Sequence, residues 1–225
     1  MFEAVILMGG LGTRLKSVSK GVPKPMMKVG GRPFVYSLLE KLEAAGCKRI
    51  VLSLHYQAEK IINQITQERP VNCEIVFVKE EQLLGTGGGL KLAAKSILSE
   101  KYIALNGDTF SSLDYQKFFL DNLEEEFVIA GIRVPNAKRY GSMSFNEMNI
   151  LTGMQEKGMS GPAVINSGTY LISKSSILAV PKDQFSFEEE FISKSIDSAK
   201  VYLFSGDFID IGIPEDYDRA CAYLK

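Results

Sequence analysis

The apolar run Ala4-Val5-Ile6-Leu7-Met8 leads directly into Gly9-Gly10-Leu11-Gly12-Thr13-Arg14-Leu15, and Pro23-Lys24-Pro25-Met26 follows shortly after. Residues of these types in this order suit a triphosphate. A buried strand ends, glycines turn the chain with backbone N–H groups free to point inward, and a guanidinium and an ammonium arrive from fixed offsets. A Cβ on the loop would hold the backbone away from phosphate oxygens. Arg14 can grip two oxygens at once, whereas Lys24 supplies a point charge. Leu7, Gly9, Gly10, Gly12 and Thr13 are therefore candidate nucleotide contacts. The alternative, on residues alone, is an ordinary strand-to-helix turn beside two solvated basic residues.

Two better-known glycine loops fail against this segment. The dinucleotide fingerprint G-x-G-x-x-G needs a third glycine where Leu15 stands. A Walker loop matches neither this segment nor Gly85-Thr86-Gly87-Gly88-Gly89-Leu90-Lys91. The residues thus do not point to a dehydrogenase or a P-loop ATPase. The single histidine, His55, reads as structural, and Cys47, Cys73 and Cys221 are too dispersed for a zinc site or a disulfide framework.

The elements that must position these groups alternate in type. Strands are expected at 4–8, 49–54, 73–78 and 102–106, and helices at 33–45, 57–66 and 87–98. In the first helix Pro33 suits the first turn, Phe34, Val35, Leu38, Leu39, Leu42 and Ala45 share a face, and Gly46 is the stop. This series predicts an α/β fold: a Rossmann-like three-layer α/β/α arrangement around a central mixed, mostly parallel sheet. Ligands of such sheets sit beyond the carboxyl ends of the strands, where the Gly9 loop and Asn106-Gly107-Asp108 both fall.

The second half is richer in strands, expected at 127–133, 141–145, 150–155, 163–172 and 200–204. Ser186 and Glu189 read as a capping box for a helix at about 187–195. A last helix is expected from Pro214, with Glu215 and Asp216 in its first turn and Tyr217, Ala220, Cys221 and Leu224 on one face. Glu124-Glu125-Glu126 reads as a solvated helix end.

With 225 residues, 45% hydrophobic and 24% charged, the chain suffices for one sizeable core, so a single domain is expected. A net charge of −1 sets up no global field toward nucleic acid or an anionic membrane. Phosphate affinity must therefore be local. No apolar run approaches the roughly 18 residues of a membrane span. With no room for a secretory leader before the first strand, and unpatterned cysteines, a cytoplasmic location is expected.

The 9–15 loop with Pro23-Lys24-Pro25-Met26 resembles the signature of the sugar-phosphate nucleotidyltransferases, or nucleotide-sugar pyrophosphorylases. Similar blocks follow in the family's order at Leu84-Gly85-Thr86-Gly87-Gly88, Asn106-Gly107-Asp108, Glu156-Lys157, Asn166-Ser167-Gly168-Thr169-Tyr170 and Phe208-Ile209-Asp210-Ile211-Gly212, spanning nearly the whole chain. The resemblance implies that a nucleoside triphosphate and a sugar 1-phosphate yield an NDP-sugar and pyrophosphate. It divides the domain into a nucleotide-binding half (about 1–110) and a sugar-phosphate-binding half (about 111–225). A phosphate oxygen is already anionic at neutral pH, so no general base is required; catalysis rests on positioning and charge neutralisation.

By the same resemblance Arg14 holds the β- and γ-phosphates, Lys24 the α-phosphate and Lys157 the sugar phosphate. Gly141, Glu156, Asn166 and Thr169 contact the sugar, and Asp108 and Asp210 hold Mg²⁺, which takes one or two carboxylates plus substrate phosphates. On residues alone the two aspartates also suit capping or turn roles. The segment with Gly85, Thr86 and Gly87 is expected to carry the base against its backbone, with Glu81 or Gln82 reading donors. Its L-G-T-[AG]-G form is similar to that of guanylyl-transferring members, which favours GTP and leaves UTP open. Short members that guanylylate D-glycero-α-D-manno-heptose 1-phosphate for bacterial surface polysaccharide are similar across these blocks. Mannose 1-phosphate and N-acetylmuramate 1-phosphate stay open as substrates. Many relatives carry Thr where this chain has Ile213, which cannot cap the last helix. A silent relative that only binds nucleotide-sugars predicts loss of Arg14, Lys24 or Asp108, and all three are present. A homodimer is the default assembly.

Overall fold

Side-chain alternation along the first strand sorts the core into two layers. Ala4, Ile6 and Met8 face one apolar cluster, while Val5 faces the other. The same split recurs further on, with Ile103 and Leu105 on the first face and Tyr102 and Ala104 on the second. A strand buried on both sides must be covered on both sides, and helices do so here. In this computed structural model the described residues are 1–10, 21–155, 158 and 160–223.

In chain order the elements are β1 (Phe2–Leu7), the hairpin β2 (Lys28–Val29) and β3 (Arg32–Pro33), α1 (Phe34–Ala44), β4 (Cys47–Leu54), α2 (Ala58–Glu68) and β5 (Glu74–Lys79). Then come α3 (Gly85–Ala94), β6 (Lys101–Asn106), β7 (Thr109–Ser111), α4 (Tyr115–Leu120), β8 (Phe127–Val134), β9 (Ser142–Phe145) and β10 (Leu151–Gln155). The chain closes with β11 (Ala163–Ser173), α5 (Lys174–Leu178), β12 (Lys200–Phe204), β13 (Phe208–Asp210) and α6 (Pro214–Tyr223).

Among the described residues one nine-stranded sheet runs β10-β9-β11-β6-β1-β4-β5, with β8 also paired to β11 and β12 to β8. Its centre, β6-β1-β4-β5, is parallel; β11 joins antiparallel to β6 and β8. The sheet is thus mixed, with a parallel centre between helical layers, as expected. Both halves of the chain contribute to it.

Several local expectations need correction. Pro33 stands one residue outside α1, as its N-cap, while Gly46, at φ 89°, ends the helix as expected. The helix expected at 87–98 begins at Gly85 and closes at Ala94. The one expected at 187–195 is a π-helical turn, Phe187–Ile192, followed by a 3₁₀ turn, Ser193–Ser195. Ser186 does cap it, accepting from the Glu189 amide at 3.2 Å. The wider turn stacks Phe187 on Phe191, with centroids 5.1 Å apart, and lets both meet Phe127 edge-on.

Glu124-Glu125-Glu126 lies beyond the end of α4, not on a helix end. Lys200 binds Glu125 at 2.9 Å and Lys101 binds Glu126 at 3.3 Å. Glu215 and Asp216 do stand in the first turn of α6 as expected, and Asp216, 2% exposed, accepts from Arg139 and Arg219. Leu224 lies outside the described residues. Among the described residues no helix is long and apolar enough to cross a membrane.

Candidate active site

β1 is flanked by β4 on one side and β6 on the other, so the chain changes direction across the sheet at the β1/β6 boundary. A crevice opens there, at the carboxyl ends of the strands. Gly107, between the lining residues Asn106 and Asp108, donates its amide to the Leu7 carbonyl at 2.9 Å. A Cβ at this position would lie 2.8 Å from that oxygen, so only glycine lets the chain pass and deliver Asp108.

A separate two-stranded ribbon brings in the second carboxylate. β13 pairs antiparallel with β7, Asp210 opposite Thr109, and the Ile211 amide donates to the Asp108 carbonyl at 3.0 Å. Lys24 enters from a 3₁₀ turn, Lys24–Met26, between two buried prolines whose φ angles are fixed. Its Nζ lies 3.2 Å from Oδ2 of Asp108. One cation and two carboxylates, far apart in the chain, therefore share one corner of the crevice.

Among the described residues that corner sets one cation against two carboxylates. Burial, and then the negative charge of Asp108, push the Asp210 pKa from 3.8 up to about 6; Lys24 and a hydrogen bond from the Gly212 amide work against the rise. Gly212 needs its bare Cα, because a Cβ would sit 2.8 Å from Oδ1 of Asp210. Among the described residues no three His, Cys, Asp or Glu side chains form a closed metal cage. Two carboxylates facing an open crevice suit a hard divalent cation that completes its shell with water and phosphate oxygens.

The crevice holds about 1040 Å³ and is lined by Leu7, Gly9, Gly10, Lys24, Gly85, Thr86, Asp108, Gly141, Asn166 and Asp210, all anticipated from the sequence. Gly12, Thr13, Arg14, Glu156 and Lys157 lie outside the described residues. Asn166 begins a bulge in β11: the register against β8 slips between Asn166 and Tyr170. Its Oδ1 accepts from the Gly168 amide and its Nδ2 donates to the Tyr170 hydroxyl, both at 2.9 Å. One face of the bulge therefore points its residues into the crevice.

Three sequence expectations do not hold in the geometry. Glu81 is exposed and does not line the crevice; its neighbour Glu80 does. Glu80 continues the β5 ladder through its amide to Leu54, so alternation turns its side chain inward. It is 5% exposed, with Oε1 accepting from Ser53 Oγ and Oε2 from the Leu84 amide, both at 3.2 Å. Gly87 does not line the crevice either. Its amide and that of Gly88 are taken by the Phe185 carbonyl at 3.0 and 3.3 Å, so they are not open to a base. Thr169 is buried in β11 opposite Leu105, and Ser167, Gly168 and Tyr170 face the crevice instead.

Asn106 lines the wall from the position expected for it, whereas Tyr140, Gln155, Glu188, Glu189 and Ser193 were not named as candidates from the sequence. Thr86 joins its two sides, donating to Glu188 Oε2 and accepting from the Phe187 amide, each at 2.9 Å. His55 is structural, its Nδ1 3.2 Å from the Glu80 carbonyl.

Comparison with known proteins places this geometry. The nucleotidyl transferase family matches residues 3–225. A D-glycero-α-D-manno-heptose 1-phosphate guanylyltransferase of Campylobacter jejuni is 36% identical over 96% of each chain. One of the same name from Aneurinibacillus thermoaerophilus is 34% identical, covering 99% of this chain and 98% of that one. The crystal structure of HddC from Yersinia pseudotuberculosis, 47% identical, superposes with a TM-score of 0.94 over the full length of both chains, and that protein has also been crystallised with GMP-PN.

Proposed function

The chain belongs to the nucleotidyl transferase family, and from that premise we propose that it transfers GMP from GTP to D-glycero-α-D-manno-heptose 1-phosphate, releasing pyrophosphate. The observation that carries this reading is the meeting of Lys24, Asp108 and Asp210 at the β1/β6 crevice. The end-to-end likeness to two enzymes of that name supports the choice of sugar.

An oxygen of the sugar phosphate attacks the α-phosphorus of GTP; the P–O bond to the β-phosphate breaks and pyrophosphate leaves. No proton has to be removed from the nucleophile. The difficulty is repulsion between two anions, which preorganised charge must offset. Lys24 supplies positive charge to the α-phosphate. Arg14 holds the departing β- and γ-phosphates, and Lys157 steers the incoming phosphate. Asp108 and Asp210 would hold a divalent cation, Mg²⁺, which when bound supplies further neutralisation of the phosphates. Gly141, Glu156 and Asn166 contact the sugar.

Glu80 replaces Glu81 as the reader of the base. A carboxylate only accepts hydrogen bonds, and the guanine edge offers adjacent N1–H and N2–H donors. Adenine has no donor at N1, and uracil offers a single N–H between two carbonyls. The crevice volume also suits a nucleotide with a sugar phosphate beside it.

Pyrophosphate release with each of four NTPs and a panel of sugar 1-phosphates, with cation and with chelator, tests the assignment. GTP with the heptose 1-phosphate is expected to turn over only when cation is present. Asp108→Asn should lower kcat by about 10²–10³. Turnover with UTP alone contradicts the base assignment, and full turnover in chelator contradicts the role of the aspartate pair.

A further inference from the structure

Lys41 is half-buried and projects from α1 onto the β7/β13 ribbon. Its Nζ lies 5.1 Å from the ring centroid of Phe110 and 5.0 Å from that of Tyr115, and it donates to the carbonyl of Ser111. Phe110 and Ser111 belong to β7, the strand that begins one residue after Asp108. The partner of β7 is β13, which ends at Asp210.

The ribbon is small and stands apart from the main sheet, with three residue pairs in its ladder. At one end the Ser112 amide donates to the Asp207 carbonyl at 2.9 Å and the Asp207 amide to Ser112 Oγ at 2.7 Å. The other end is the carboxylate pair, tied through the Ile211 amide to Asp108. Lys41 anchors the ribbon from α1. An apolar side chain would fill the same space between the rings; what the ammonium adds is a directed, charge-assisted bond to β7 and attraction to two ring faces.

We propose that Lys41 is a positioning residue for the reaction: with its ammonium between the Phe110 and Tyr115 rings and bonded to the Ser111 carbonyl, it holds the ribbon that sets Asp108 and Asp210 at the spacing a divalent cation needs. This rests on the cation site proposed above. Burial lowers the Lys41 pKa to about 8, with the charge of Asp114 opposing the shift, so the ammonium form prevails at neutral pH. Groups that orient metal ligands from behind are worth about 10–100-fold in metal affinity.

The test is Mn²⁺ binding, followed by its electron paramagnetic resonance in the presence of GTP, for the parent protein, Lys41→Met, Lys41→Gln and Asp108→Asn, with the cation dependence of pyrophosphate release measured alongside. Lys41→Met is expected to weaken Mn²⁺ binding about tenfold or more and to raise the cation concentration giving half-maximal rate, with the KM for GTP unchanged. Lys41→Gln keeps a neutral donor and should fall between Met and the parent; if Lys41→Met does not fold, the Gln variant decides alone. Mn²⁺ affinity equal to the parent in the soluble variants overturns the inference, whatever happens to Tm. Mn²⁺ binding that survives Asp108→Asn refutes the cation site itself, and with it both readings.

Discussion

Two glycine-rich segments meet at the crevice, and glycine serves opposite purposes in them. At Gly10 a Cβ would meet no described residue within 4 Å, and the backbone carries no positive φ, so nothing among the described residues demands glycine there. At Gly85, Gly87 and Gly88 a Cβ would come within 2.6 Å of the Phe185 carbonyl, 2.2 Å of the Phe185 ring and 2.2 Å of the Asp183 carbonyl. At Gly9 a Cβ would lie 2.9 Å from Glu80 Oε1, so within the first segment it is Gly10 whose space stays open. The second lets the 183–188 strap lie directly on α3, closing one wall of the crevice. A run of glycines before a helix thus marks close approach, but the sequence alone does not say whether ligand or chain approaches.

Gly88→Ala should break the packed segment most severely. The clash is with backbone, so the strap must move, and a loss of about 3 kcal/mol is expected in chemical denaturation. Better helix propensity returns only about 1 kcal/mol. Gly87→Ala should cost about 1–3 kcal/mol by the same mechanism. Its clash is with a side chain, so the Gly87→Ala/Phe185→Leu double variant should be more stable than the sum of the single changes, a coupling that thermal melts in a double-mutant cycle would read. Gly10→Ala should do the reverse, leaving stability within about 0.5 kcal/mol while raising the KM for GTP about tenfold, equivalent to about 1.4 kcal/mol. An unchanged KM would remove the distinction between the two segments.

A further expected effect is one of pH. In cation-free protein Asp210 titrates near 6 instead of 3.8, so between those values the folded state binds more protons than the unfolded chain. Stability from this group therefore falls as pH rises through that window. Melts in chelator should show the slope in the parent and its loss in Asp210→Asn; identical profiles would mean that the pair is not crowded.

Local signals were legible and long-range ones were not. α1 followed from six apolar residues on one face and a glycine stop, and β1 and β6 from unbroken apolar runs, because those patterns lie within one element. The approach of Asp108 to Asp210 was not readable: it depends on a ribbon of two three-residue strands, too short to show a period. α4 was missed although its signal was present, Asp114 capping the Lys117 amide at 2.9 Å ahead of Tyr115, Phe118 and Phe119. The exchange of Glu80 for Glu81 is a question of strand parity, which a one-residue error in the end of β5 inverts. Thr169 was misplaced because the β11 bulge breaks the alternation that would have shown which residues face the crevice.

On the proposed reading the glycine loop, Lys24 and the two aspartates form one phosphate and cation site. Anomalous scattering from crystals grown with GTP and Mn²⁺ tests it most directly. The expected result is a single manganese peak shared by the carboxylates of Asp108 and Asp210 and a phosphate oxygen, with the triphosphate over Gly9 and Gly10 and the base against Glu80. A triphosphate bound away from that loop, or manganese held without either aspartate, would contradict the account.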